Sequence, residues 1–136
     1  MSDTPEGATA ANLAAVQRYV DAWLAGDFQA MMATYADDFV VHWFGVSPMA
    51  KTYRGKAEAI PALVAFTQRT GRRLVGIVDV TAGPERAVVI VREAITVGGV
   101  EHEIERALVY RQQAGLLAEC WVYDQDQRLI DAALSS

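Results

Sequence analysis

The chain has 136 residues with a formal charge of −5; hydrophobic residues make up 52% of it and charged residues 21%. That length and apolar content predict one globular domain with a core of its own, here residues 1–136, and exclude a disordered chain. The acidic balance, without any basic cluster, excludes non-specific nucleic-acid binding and docking to anionic membrane surfaces. A lone cysteine, Cys120, cannot form an internal disulfide, and no apolar run approaches the ~20 residues of a membrane span. The first residues lack the basic and apolar pattern of a signal peptide, so a cytoplasmic location is expected.

Residues 1–9 are polar and read as a flexible lead-in. From Ala10 to Ala25, Leu13, Val16, Val20 and Trp23, with Tyr19 beside them, form a helical stripe. Gly26 reads as its stop and Asp27 as the N-cap of a second helix, which carries Met31, Met32 and Tyr35 and ends at Asp37-Asp38. Phe39 to Phe44 is β-branched and aromatic, hence a strand, and Gly45 to Gly55 reads as a loop. Ala57 to Arg69 is a third helix with Pro61 near its first turn, stopped at Thr70-Gly71. The second half is a meander. Leu74–Thr81, Ala87–Val97, Val100–Arg111 and Leu116–Tyr123 are strands, Gly98-Gly99 is a two-residue hairpin turn, and Gln127–Leu134 is a short closing helix. Helices followed by a run of strands make an α+β pattern.

The hairpin fixes a register. Pairing Val97 with Val100 puts Val89, Val91, Glu93, Ile95, His102, Ile104, Arg106 and Leu108 on one face. That face is the more apolar and is expected to turn inward, with Glu93, His102 and Arg106 as its polar interruptions. An oily wall with a few converging polar groups is how small-molecule sites are built.

Three segments, "AWLAGDFQAMMATYADDF", "HWFGVSPMAKTYRGKAEAI" and "GLLAECWVYDQDQRLID", resemble in order the signature blocks of the nuclear-transport-factor-2-like superfamily, in its SnoaL-like branch of polyketide cyclase- and ketosteroid isomerase-like proteins. The resemblance spans residues 10–134. It implies a cone: a strongly curved, mostly antiparallel sheet wrapped around a long N-terminal helix, with a central pocket, and a homodimer packed through the sheets. Tyr19 matches the oxyanion-binding tyrosine of the isomerases. Their general-base position falls at His42 or Trp43 and their second pocket acid at Arg106 or Ala107, so both isomerase acids are missing. The cyclases' acid, near the end of the last strand, falls at Asp124 or Asp126.

Each candidate has two readings. His42, with an ordinary pKa of ~6.5, suits acid–base work near neutrality; equally it is a hydrogen-bonded structural histidine. Tyr19 is an oxyanion donor or a core phenol. Arg106 is a clamp for a substrate oxygen or carboxylate, or an internal ion pair with Glu93 that braces the sheet. Asp124 and Asp126 supply a proton carrier or cap the last helix. The expected catalytic set is therefore His42, Asp124, Tyr19 and Arg106. Trp43, Met32, Tyr53, Glu93, His102, Trp121 and Asp126 are the candidates for contacting substrate. With two histidines in no ligand-like spacing and no phosphate loop, neither a metal nor a cofactor is expected. The expected function is proton transfer, by an isomerase, cyclase, dehydratase or epoxide hydrolase, on a small apolar molecule that carries oxygen. The alternative is a non-catalytic ligand-binding or dimerisation module.

Overall fold

A computed structural model describes residues 4–135. Helix α1 runs from Pro5 to Leu24. Its N-cap is Thr4, whose Oγ1 accepts the Gly7 amide at 3.0 Å. Pro5 follows at the first helical position, where its fixed φ suits a helix and its missing N–H is no loss. The helix thus starts five residues before the expected Ala10, and residues 5–9 of the expected lead-in are helical; residues 1–3 lie outside the described residues. Ala15, Val16, Tyr19 and Val20 form its buried stripe. Asn12 is buried too, and ties the helix to the sheet: its amide donates to Gly83 O and its oxygen accepts from Gln112, both at 2.9 Å.

Gly26, at φ +67°, turns the chain, and the Asp27 carboxylate caps α2 (Phe28–Ala33) through the Ala30 amide. The expected extension of α2 to Asp37-Asp38 does not occur. The Leu117 amide donates to Thr34 O at 2.8 Å, and strand β1 (Tyr35–Trp43) begins at once. Pairing with a distant strand overrides the local pattern here. The expected loop between Gly45 and Gly55 contains a short strand, β2 (Thr52–Arg54), antiparallel to β1. Helix α3 is Lys56–Thr70, which puts Pro61 one residue further inside than expected; Gly71, at φ +63°, ends it.

Strands β3 (Arg73–Ala82), β4 (Ala87–Val97), β5 (Val100–Gln113) and β6 (Leu116–Asp124) complete one six-stranded sheet in the order β2-β1-β6-β5-β4-β3. All neighbours are antiparallel except β1 and β6. Register shifts between β3 and β4 and between β5 and β6 mark irregularities of the kind that bend a sheet. Curved and unclosed, the sheet wraps its concave side around α1 and α3. The turn at Gly98-Gly99 has positive φ at both residues, as a two-residue hairpin of this hand requires. The register is the expected one: Val89 faces Leu108, Val91 faces Arg106, and Glu93 faces Ile104. Those six residues are all buried. Helix α4 (Gln127–Leu134) closes the chain with Ile130 and Leu134 fully buried.

Candidate functional site

The concave face and the helices enclose a cavity of about 350 Å³, within the range of small-molecule sites. Helix α1 contributes Tyr19 and Trp23, α2 Met31 and Met32, and α3 Ile60 and Leu63. The sheet supplies the odd-numbered residues Tyr35, Phe39, Val41 and Trp43 of β1, then Leu108 and Tyr110 of β5, and Cys120 and Val122 of β6. Alternation along each strand sends these side chains inward together. Phe28 and Val64, 56% and 37% exposed, mark the mouth between α2 and α3.

Polar groups in the wall fall into two clusters. Tyr19 sits between Tyr35 and Tyr110, with ring centroids 5.6 Å away on both sides. The three phenols bear on one another through their hydroxyls. Burial holds all three above the ordinary phenol pKa, most strongly Tyr35 and Tyr110, so they serve as neutral hydrogen-bond donors. Burial likewise pushes the Cys120 thiol up to about 12, which removes it as a nucleophile at neutral pH.

The second cluster centres on Arg106, 2% exposed. Its Nε donates to Asp124 Oδ1 at 2.5 Å and its Nη1 to Glu93 Oε1 at 3.0 Å. Arg72 Nη1 reaches the other Glu93 oxygen at 3.5 Å. Both guanidinium groups lie over the Phe66 ring, at 4.6 Å for Arg106 and 5.2 Å for Arg72. Burial works against the Arg106 charge, but Asp124 and Glu93 outweigh it and raise its pKa. The third donor nitrogen of Arg106, Nη2, has no partner, and neither has the indole Nε1 of Trp43.

The structure therefore brings Tyr19, Arg106, Trp43 and Met32 into one wall. Asp124 and Glu93 lie beside it, 1% exposed and committed to Arg106. Arg106 is braced by the internal ion pair that the second reading expects, and it also borders the cavity.

His42 is a correction. As an even-numbered residue of β1, it projects from the convex face. There Nε2 donates to Glu119 Oε2 at 2.5 Å, Nδ1 bonds the Thr52 hydroxyl at 3.0 Å, and the ring stacks on Trp121. Trp121 shares that outer face and lies under Arg86, with the guanidinium 3.9 Å from its ring. The same alternation that sends Val41 and Cys120 inward sends these two outward. Tyr53 is buried away from the cavity, with its hydroxyl donating to Met49 O at 2.7 Å. His102 faces Ile95 near the hairpin end and is absent from the wall. Asp126 caps α4 by accepting the Leu129 amide at 3.1 Å.

Sequence reasoning missed Tyr35, Tyr110 and Arg72. Tyr110 was within reach, two residues beyond Leu108 on the same face of β5. Tyr35 was hidden by its assignment to a helix. Arg72 follows the stop of α3, where no periodicity points.

A family model, the SnoaL-like domain, matches residues 16–120. Solved structures share the fold at low identity. Bal32a, from a soil-derived mobile gene cassette, is 18% identical with a TM-score of 0.81, over 93% of this chain and 98% of that one. An NTF2-like protein from Burkholderia xenovorans is 21% identical with a TM-score of 0.71, over 93% and 97%. A polyketide cyclase-like protein from Sinorhizobium meliloti is 19% identical with a TM-score of 0.61, over 79% and 92%. No curated protein matches by sequence. No helix among the described residues is long and apolar enough to cross a membrane. With most of its length matched by the family model, the chain belongs to the SnoaL-like domain family, and its cone is the fold shared with the NTF2-like structure.

Proposed function

We propose that this protein binds a small, mostly apolar molecule bearing oxygen. The observation that carries the reading is the composition of the cavity wall: mostly aromatic and aliphatic side chains, with a few polar groups among them, namely three neutral phenols, the Trp43 indole, the Arg106 and Arg72 guanidinium groups, and Thr67 and Gln68 of α3. Such a wall favours an apolar body and fixes its orientation through an acceptor oxygen. The test is a thermal-shift screen of bicyclic ketones, alcohols and epoxides against wild type and Leu108→Trp, in which an indole fills the chamber. Ligands that raise the wild-type melting temperature and leave the variant unmoved support the reading; an unresponsive wild type contradicts it.

A second reading, proton-transfer catalysis of the isomerase or cyclase type, is favoured by the Tyr19–Tyr35–Tyr110 cluster. Neutral phenols aimed at a carbonyl oxygen stabilise the charge that develops there on enolisation. In this reading Asp124, held at the wall by Arg106, carries the proton, because His42 is outside. Deuterium exchange at the methyl group of 2-acetylnaphthalene in D2O distinguishes the two. Catalysis requires exchange above background that falls at least about tenfold in Asp124→Asn; background exchange leaves binding alone.

Two copies are proposed to pair through the convex sheet face, where Phe44 and Tyr123 stack at 5.2 Å while 40% and 48% exposed. Sedimentation of wild type and Tyr123→Glu tests this: a dimer that the variant splits is expected, and a monomeric wild type refutes it.

A further inference from the structure

Two buried donors are left without partners: Nη2 of Arg106 and Nε1 of Trp43. The residues are 2% and 3% exposed, and both line the cavity. They belong to one end of it. Trp43 on β1 and Arg106 on β5 flank β6, where their register partners are Val122 and Asp124, and the Arg106 guanidinium carbon lies 5.6 Å from the Trp43 ring. A buried donor left unpaired costs about 1–3 kcal/mol, and native interiors leave few of them. Both stand at the same end of an apolar chamber, where Glu93 Oε2, 3.5 Å from Arg72 Nη1, is also without a hydrogen bond, and the two donors mark a place where an acceptor oxygen belongs.

The charges nearby decide what kind of oxygen. Arg106 and Arg72 carry two positive charges, and Glu93 and Asp124 carry two negative ones, all in contact. The cluster is balanced without a ligand. A carboxylate entering it would bring a third negative charge into a desolvated place with no cation left to compensate it, which is strongly unfavourable. A carbonyl oxygen has two lone pairs for two donors and brings no net charge.

We propose that Trp43 Nε1 and Arg106 Nη2 form the head-group subsite of the cavity, and that it selects an uncharged ketone carbonyl over both carboxylates and hydrocarbons. This rests on the binding function proposed above and names its ligand class. The apolar body of the ligand lies against Leu108 and Val122, and the carbonyl points toward the Arg106 end.

The test uses three probes of nearly one shape: 2-acetylnaphthalene, 2-isopropenylnaphthalene, in which a methylene replaces the carbonyl oxygen, and 2-naphthoate. Titration calorimetry of the wild-type protein at pH 7 is expected to give the ketone an affinity at least about tenfold above either of the others. Trp43→Phe removes one donor and keeps the ring. It is expected to weaken ketone binding about three- to tenfold and to leave the hydrocarbon unchanged. The wild-type comparison stands even if the variant folds poorly. Equal binding of ketone and hydrocarbon overturns the subsite while the binding function survives. Tightest binding by 2-naphthoate overturns the selection for a neutral head group. Binding of none of the three overturns the function proposed for the cavity, and the subsite with it.

Discussion

Arg106 and Asp124 are direct register partners across β5 and β6, and their side chains meet on the concave face, Nε to Oδ1 at 2.5 Å. Both are 1% exposed as side chains. The bond therefore closes the end of the cavity and joins the last strand to the hairpin. Removing one member of a buried pair strands the other charge, at a cost of about 3–5 kcal/mol. Urea unfolding should show a loss of that size for Asp124→Ala, and a smaller one for Asp124→Asn, which keeps an acceptor in place. A change below about 0.5 kcal/mol, the size of an ordinary surface substitution, would refute the pairing.

His42 belongs to the convex face, so ligand binding should not need it. His42→Ala is expected to leave the affinity for 2-acetylnaphthalene within about twofold of wild type while lowering the midpoint of urea unfolding, because Thr52 and Glu119 lose a shared partner. A large loss of affinity without a loss of stability would place the imidazole back in the site.

The same cluster sets the acid limb of stability. Burial raises the Glu119 pKa, but its bonds to His42 and Arg111 outweigh that and hold it below the ordinary 4.5. A carboxylate lowered by folding stabilises the folded state above its unfolded pKa, and this contribution disappears as pH falls through the lowered value. Melting temperatures between pH 6 and 3 should fall more steeply for wild type than for Glu119→Gln. Parallel curves would show that Glu119 carries no such coupling.

Cys120 gives the alkaline counterpart. Its thiol, pushed up to about 12, should resist a disulfide reagent such as DTNB at pH 8 and react only on unfolding. A group raised by folding stabilises the protein below its unfolded pKa and loses that contribution as pH rises toward the folded one. The buried phenols of Tyr19, Tyr35 and Tyr110 act in the same direction. Absorbance titration of phenolate should show these three ionising above the ordinary range, together with loss of structure; early, reversible titration of all five tyrosines would contradict the closed wall.

The β4–β5 hairpin was readable from sequence because two glycines fix its turn, and the turn fixes every pair behind it. That reading put Arg106 and Glu93 on the buried face beside Val91 and Ile104, and the site's ion pair followed. Between Tyr35 and Asp38 the local signal misled. The residues that follow α2 are compatible with another helical turn, and only the distant Leu117 amide makes them a strand. Assigning them to a helix concealed Tyr35 as a wall residue, whereas His42 already stood in the expected strand, where alternation sets it opposite Val41 and Trp43. Trp121 was misplaced because an aromatic strand residue suits either face of a sheet, and one sequence does not say which face is concave. Asp126 was legible as a cap from its position alone, whereas Arg72 takes its meaning from Glu93, a strand away.

The chamber itself is tested most directly by its methionines. Met31 and Met32 stand in the wall, while Met49 is buried elsewhere. Carbon-13 methyl spectra of the methionine-labelled protein titrated with 2-acetylnaphthalene should show saturable shifts at Met31 and Met32 with Met49 unmoved. Shifts at Met49 alone, or none at any of the three, would mean that no small molecule enters between the helices and the sheet.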